Sequence, residues 1–162
     1  MKINTLSKLI LVLIVFSVFT QSCKKDEKTT TPFTPTTGIT AKINGKSFTD
    51  DSTTEAFKNS TISTSIYAIN TAGSSSIGIG FGAVSAGTFT IGSGNHGATY
   101  KAYDINGNDT IYSATQGTFI ISKYDLINNK LSGTFSFTAK NSATGRTVSI
   151  TEGVITDIPI VE

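Results

Sequence analysis

The sequence predicts an all-β domain, an antiparallel β-sandwich of about ten strands, with a closed up-and-down β-barrel as the alternative. Three observations point there. Residues 39–162 are rich in Thr, Ser, Gly, Ile and Phe and poor in Leu and Ala, a composition that favours strands over helices. Apolar residues alternate with polar ones in run after run. Two-residue turn formers separate the runs.

Taken in order, the first pair of strands is Ile39–Ile43 and Lys46–Thr49 around Asn44-Gly45. Both turn residues tolerate positive φ, and the resulting type I′ turn matches the strand twist. Asp51 to Lys58 is the one stretch that reads as helical, because Ser52-Thr53-Thr54-Glu55 matches a capping box; a loop is the alternative. Next, Ile62, Thr64, Ile66 and Ala68 alternate with Ser63, Ser65, Tyr67 and Ile69. After Ala72-Gly73, Ile77, Ile79 and Phe81 alternate with Gly78, Gly80 and Gly82, which leaves one smooth face for an aromatic neighbour or a ligand chain to cover. Asn106-Gly107 divides Thr99–Asp104 from Asp109–Ser113, and Asn128-Asn129 divides Thr118–Leu126 from Lys130–Ala139. Phe135, Phe137 and Ala139 share one face of the latter. Thr144-Gly145 precedes a last run with Val148 and Ile150 inward. The triplet Gly-Thr-Phe recurs at 87–89, 117–119 and 133–135 without a fixed period, as a strand-start idiom in which threonine faces water and phenylalanine the core.

The N-terminal part is organised differently. Lys2 and Lys8 precede the apolar run Leu9–Phe19, which is shorter than the roughly 20 residues a bilayer span needs. A basic start, a short apolar run and the small residue Ser22 describe a secretory signal peptide over residues 1–22. Cys23, the only cysteine, follows directly and has no intrachain partner for a disulfide. Residues 24–38, KKDEKTTTPFTPTTG, hold two of the three prolines and no apolar periodicity, and read as a flexible tether. The folded domain then occupies 39–162.

Thr20-Gln21-Ser22-Cys23 resembles a bacterial lipobox. That resemblance implies cleavage before Cys23, a diacylglycerol on its sulfur, and two or three acyl chains, which together anchor far more firmly than one. Thr20 departs from the leucine common at its position, a relaxation frequent in Bacteroidota. Lys25-Asp26-Glu27 resembles the surface-export signal of lipoproteins from that phylum. The implied location is the outer membrane, lipid-anchored and on the cell surface, with the periplasmic face as the alternative. The opening Thr40-Ala41-Lys42-Ile43-Asn44-Gly45-Lys46-Ser47-Phe48, the strand Ser132–Thr138 and the closing Ile150–Val154 resemble a family of uncharacterised Bacteroidota lipoproteins. This implies a β-rich domain and carries no activity or site residues with it. Asp51-Ser52-Thr53 and Asp109-Thr110-Ile111 resemble O-glycosylation acceptors of the same phylum, at Ser52 and Thr110.

Of 13 basic side chains, Lys2 and Lys8 lie in the leader, so the rest balance the 11 acidic ones. A neutral domain lacks the basic surface that nucleic acid requires. Gly92-Ser93-Gly94-Asn95-His96-Gly97 spells a dinucleotide fingerprint, but strand-like sequence follows where a helix is needed, so it reads as a loop and no cofactor is expected. His96 is the sole histidine, which argues against a metal site and, without a nucleophile elbow, against a triad. Asp104-Ile105-Asn106-Gly107-Asn108-Asp109 shares three positions with a calcium loop but lacks its glycine and glutamate, so a hairpin explains it. Carboxylates cluster near turns, where Asp is favoured for backbone reasons. No catalytic residue is assigned and a non-enzyme is expected. The candidate binding face is a set of tyrosines, Tyr100, Tyr103, Tyr112 and Tyr124, able to stack on a glycan or meet a protein partner. Three function classes stay open: a non-catalytic binding or structural module of the envelope, a carrier of an apolar ligand inside a barrel, and a glycan-active hydrolase.

Overall fold

The computed structural model describes residues 37–60, 63–82, 85–104, 106 and 108–162. The leader, Cys23 and the tether as far as residue 36 lie outside the described residues, as do Ile62 and Gly107. Ten strands are described: β1 (Gly38–Ile43), β2 (Lys46–Thr49), β3 (Ala56–Ser60), β4 (Ser63–Asn70), β5 (Ser75–Phe81), β6 (Gly87–Ile91), β7 (Gly97–Tyr103), β8 (Asp109–Asp125), β9 (Lys130–Lys140) and β10 (Thr147–Val161).

The all-β expectation holds, in its barrel form. Following the ladders from β10 through β3, β4, β5, β7, β8 and β9 leads back to β10, a closed circuit of seven strands. Closure depends on the length of β8 and β10, each of which serves two neighbours along one edge. β8 pairs with β7 at Asp109–Ser113 and with β6 at Gly117–Ile121. β10 pairs with β1 between Ile150 and Thr156, and then with β3 at Ile160 and Val161. That last contact is parallel, and β5 meets β7 with β6 between them in sequence, so two junctions of the barrel are not hairpins. β6 and β7 run in the same direction along β8, as one strand interrupted by the loop 92–96.

β8, β9 and β10 form a coiled wall. β9 alternates without interruption, placing Leu131, Phe135, Phe137 and Ala139 inward. Two irregularities in β8 reverse its parity twice, so the inward residues are Tyr112 and Ala114, then Phe119 and Ile121, then Tyr124. β10 does the same, with Val148 and Ile150, then Ile155, then Ile158 and Ile160 inward. An extra residue at each bulge bends the strand and raises its twist, which curls the wall around the core. Glu152 and Asp157, at the β10 bulges, have φ of 51° and 44°. Lys42 Nζ lies 2.8 Å from Glu152, and Lys123 Nζ 3.2 Å from Asp157. Close approach also requires glycine: a Cβ at Gly133 would run into the Ile120 carbonyl oxygen, and one at Gly117 into Phe137.

The interior is filled by side chains. Phe81, Phe119, Leu131 and the isoleucines at 39, 66, 77, 79, 150, 155 and 158 are fully buried. The three Gly-Thr-Phe copies lie on neighbouring strands, but only the first opens one, since Gly117 and Gly133 fall inside β8 and β9; their phenylalanines line up, Phe89 opposite Phe119 and Phe119 opposite Phe135. Thr88, Thr118 and Thr134 are exposed, as expected.

The helix expected at Asp51–Lys58 is absent. Ala56 and Phe57 instead pair with Ile66 and Ser65 of β4 and with the end of β10. The would-be capping residues turn the chain: the Ser52 hydroxyl and Thr54 both engage the Asp50 carboxylate. The Asp51 carboxylate accepts the Thr71 and Ala72 N–H groups. A buried strand position for Ala56 outweighs the short stretch's weak helix signal.

Candidate functional site

The four expected tyrosines do not form one face. Tyr100 and Tyr112 are cross-strand partners with ring centroids 5.8 Å apart, packed against the core from inside the barrel. Burial raises the Tyr100 hydroxyl above its ordinary value. Tyr124 also packs against the core, its hydroxyl 3.1 Å from Thr64 Oγ1. Tyr103 alone points outward, and its hydroxyl lies 3.0 Å from that of Tyr67. The bulges of β8 explain the error for Tyr112 and Tyr124, since each shifts which parity faces the core.

The outer wall of β4, β5 and β7 is where a site takes shape. Its register sets Tyr67, Gly78, Thr99 and Ser113 in one row, and Phe57, Ser65, Gly80 and Gly97 in the next. Tyr67 is the aromatic neighbour the glycine face called for: a Cβ at Gly78 would sit 3.6 Å from its ring. Gly80 and Gly97 are left uncovered, with nothing within 4 Å of an added Cβ. Around this bare floor opens a groove of about 930 Å³, lined among others by Asn59, Ser65, Tyr67, Asn95, His96 and Thr99. Its described lining contains no carboxylate, ammonium or guanidinium group.

Hydrogen bonds fix the walls. The Tyr67 hydroxyl lies 2.9 Å from Ser76 Oγ, which is 3.2 Å from the Tyr103 hydroxyl, so the three oxygens form a closed triangle. Burial works to raise the Tyr67 phenol, but the Ser76 and Tyr103 hydrogen bonds and the Lys101 charge outweigh it, and the net shift is downward. Asn59 Nδ2 donates to Ser65 Oγ at 2.9 Å. At the other wall, His96 Nδ1 accepts the Gly82 N–H at 3.2 Å, which leaves Nε2 to carry the proton of the neutral ring. The ring packs 5.2 Å from Phe89. The glycine-rich loop is thus a turn with internal ties: Gly92 N–H donates to the His96 carbonyl at 3.0 Å, and His96 N–H to Ser93 at 3.3 Å.

The acidic residues do backbone and surface work. Asp104 accepts the Asn106 and Asn108 N–H groups at 2.8 Å each, the hairpin reading of the calcium-like letters. Asp125 holds the β8–β9 turn, and Asp157 accepts from Ser132 Oγ at 2.9 Å. The carboxyls of Asp51, Asp104, Asp125 and Asp157 are held below their ordinary value, chiefly by hydrogen bonds from Thr71, Asn108, Asn128 and Ser132 respectively. Ser52 is exposed, and Thr110 is half-buried on β8.

Sequence reasoning placed Tyr67 on the outward side of its strand but missed it as a site residue, along with Asn59, Ser65 and Asn95. The one signal was Tyr67 in a run next to three alternating glycines; linking them needs the β4–β5 register, which no local pattern encodes.

No curated protein and no solved structure matches this chain. A family model described as a domain of unknown function, DUF6252, matches residues 35–159, which spans all ten strands but for the last residues of β10, and the chain belongs to that family.

Proposed function

We propose that this chain is a membrane-anchored cell-envelope lipoprotein, held in the outer membrane through Cys23 and displayed at the cell surface, whose barrel is a non-catalytic binding module. The lone cysteine at the end of a short apolar leader, followed by Lys25-Asp26-Glu27, supports the anchor and the address. The groove over Gly80 and Gly97 supports the binding role and carries it. A bare glycine floor beside a ring, with amides and hydroxyls but no formal charge along the walls, suits a neutral glycan chain: the ring stacks on a sugar face and the neutral groups meet its hydroxyls. The carrier reading loses ground because fully buried phenylalanines and isoleucines fill the barrel.

The test is affinity electrophoresis of the mature chain through gels containing neutral or acidic polysaccharides. A neutral polymer is expected to retard the protein, and Tyr67→Ala to weaken that about tenfold, the scale of one aromatic contact. Gly80→Val, which fills the floor, is expected to abolish binding with its melting temperature unchanged. Retardation by acidic polymers alone, or indifference to both substitutions, overturns the reading. Protease shaving of intact cells, beside a Cys23→Ala variant, tests the anchor separately: the wild type is cut, and the variant is released.

A further inference from the structure

The β8–β9 hairpin ends on two exposed apolar residues. Ile127 is 94% exposed and Leu126 51%. Single exposed apolar side chains are ordinary, but adjacent ones at the apex of a turn are not what turn chemistry selects. The apex is also held in shape. The Asp125 carboxylate accepts the Ile127 and Asn128 N–H groups at 3.0 Å each, and the Asn129 carbonyl accepts the Ile160 N–H at 3.0 Å.

Position adds the second observation. Lys130, just past the apex, pairs with Pro159, and Gly38, where the described domain begins, pairs with Thr156 on the other edge of β10. The chain therefore enters the barrel at the end that carries the apex, within about 10 Å along β10. At the opposite end the described turns are polar: Asn44-Gly45, Thr71–Ser74 and Asn141–Arg146. Lys123 and Lys130 flank the apex, long side chains able to lie along an apolar boundary with their charges in water.

The geometry points to a second membrane contact: Leu126 and Ile127 dock into the lipid surface from which the chain is tethered. This rests on the reading of Cys23 as the anchor. Residues 24–37 span at most about 50 Å, so the anchor confines the barrel's entry end, which carries the apex, within that reach of the bilayer. Two side chains bind a membrane weakly alone, but a linked second contact acts at high effective concentration.

The chain contains no tryptophan, so a substituted one is a lone reporter. Mature lipidated protein carrying Ile127→Trp is reconstituted into phosphatidylethanolamine and phosphatidylglycerol vesicles, with and without brominated phosphatidylcholine. Thr144→Trp, at the opposite end, controls for tryptophan's own interfacial preference. Expected is a blue-shifted Ile127→Trp emission, quenched at least twofold by bromolipid, with Thr144→Trp unaffected. Protein that floats with vesicles while both reporters stay unquenched, or are quenched equally, overturns the apex contact and leaves the anchor standing. Protein that does not float with vesicles overturns the anchor, and the apex contact with it.

Discussion

The two walls of the barrel use the same kind of residues to opposite ends. The β8–β9–β10 wall is long and bulged, and its inward glycines, Gly117 and Gly133, sit where no side chain fits. The β4–β5–β7 wall is short, runs in continuous register, and turns glycines outward, where Gly80 and Gly97 face empty space. Glycine in the first wall makes the shape possible. Glycine in the second leaves a surface open, at a cost in strand stability that packing does not recover. A residue type therefore carries no fixed meaning here; what its missing Cβ would have touched decides its role.

The largest effect separates the walls directly. Gly133→Ala is expected to cost about 3 kcal/mol, since the Ile120 backbone has no way to retreat. Gly80→Ala is expected to stay within about 0.5 kcal/mol of wild type or to gain slightly. Urea unfolding of the two variants measures the difference, and equal midpoints would erase the distinction. Next comes the second bulge of β10, where Ser132 Oγ accepts the Asp157 N–H at 3.0 Å and donates to its carboxylate at 2.9 Å. Ser132→Ala is expected to cost about 1 to 2 kcal/mol by the same assay.

Acid gives the smallest effect and blurs the contrast, because both walls depend on ionised aspartates. Asp157 and Asp125 brace the bulged wall, while Asp51 braces the β4–β5 turn of the other. Their folded-state values lie below the ordinary 3.8, so their contribution is complete above that pH and is lost as pH falls through the lowered values. The melting temperature is expected to be insensitive to these groups between pH 5 and 8 and to drop below about pH 4. Asp51→Asn should flatten part of that drop; an unchanged acid profile would remove Asp51 from the account.

Local alternation made much of the core legible, because β5, β9 and the start of β10 keep their parity: Ile77, Ile79, Phe81, Phe135, Phe137, Val148 and Ile150 all point inward. It failed where a bulge intervenes, since a strict period of two cannot carry Tyr112, Phe119 and Tyr124 to the same side. The closure of the barrel was illegible for a different reason. It hangs on two parallel pairs between residues about a hundred positions apart, and nothing in either segment announces the other. The groove was half legible: the glycine face stood out, but Tyr67 became its neighbour only through register.

The last pairing also sets a clock. β10 joins β1, β9 and β3, so residues 147–161 meet the first, third and ninth strands of the chain at once. A ribosome makes those residues after the other nine strands. Until they emerge, β1 and β3 have no partner on that side and the cylinder cannot seal. Long-range pairing of this kind also folds slowly once the chain is complete. The second delay gives the polypeptide an interval in which it is fully made but its cylinder is not yet sealed.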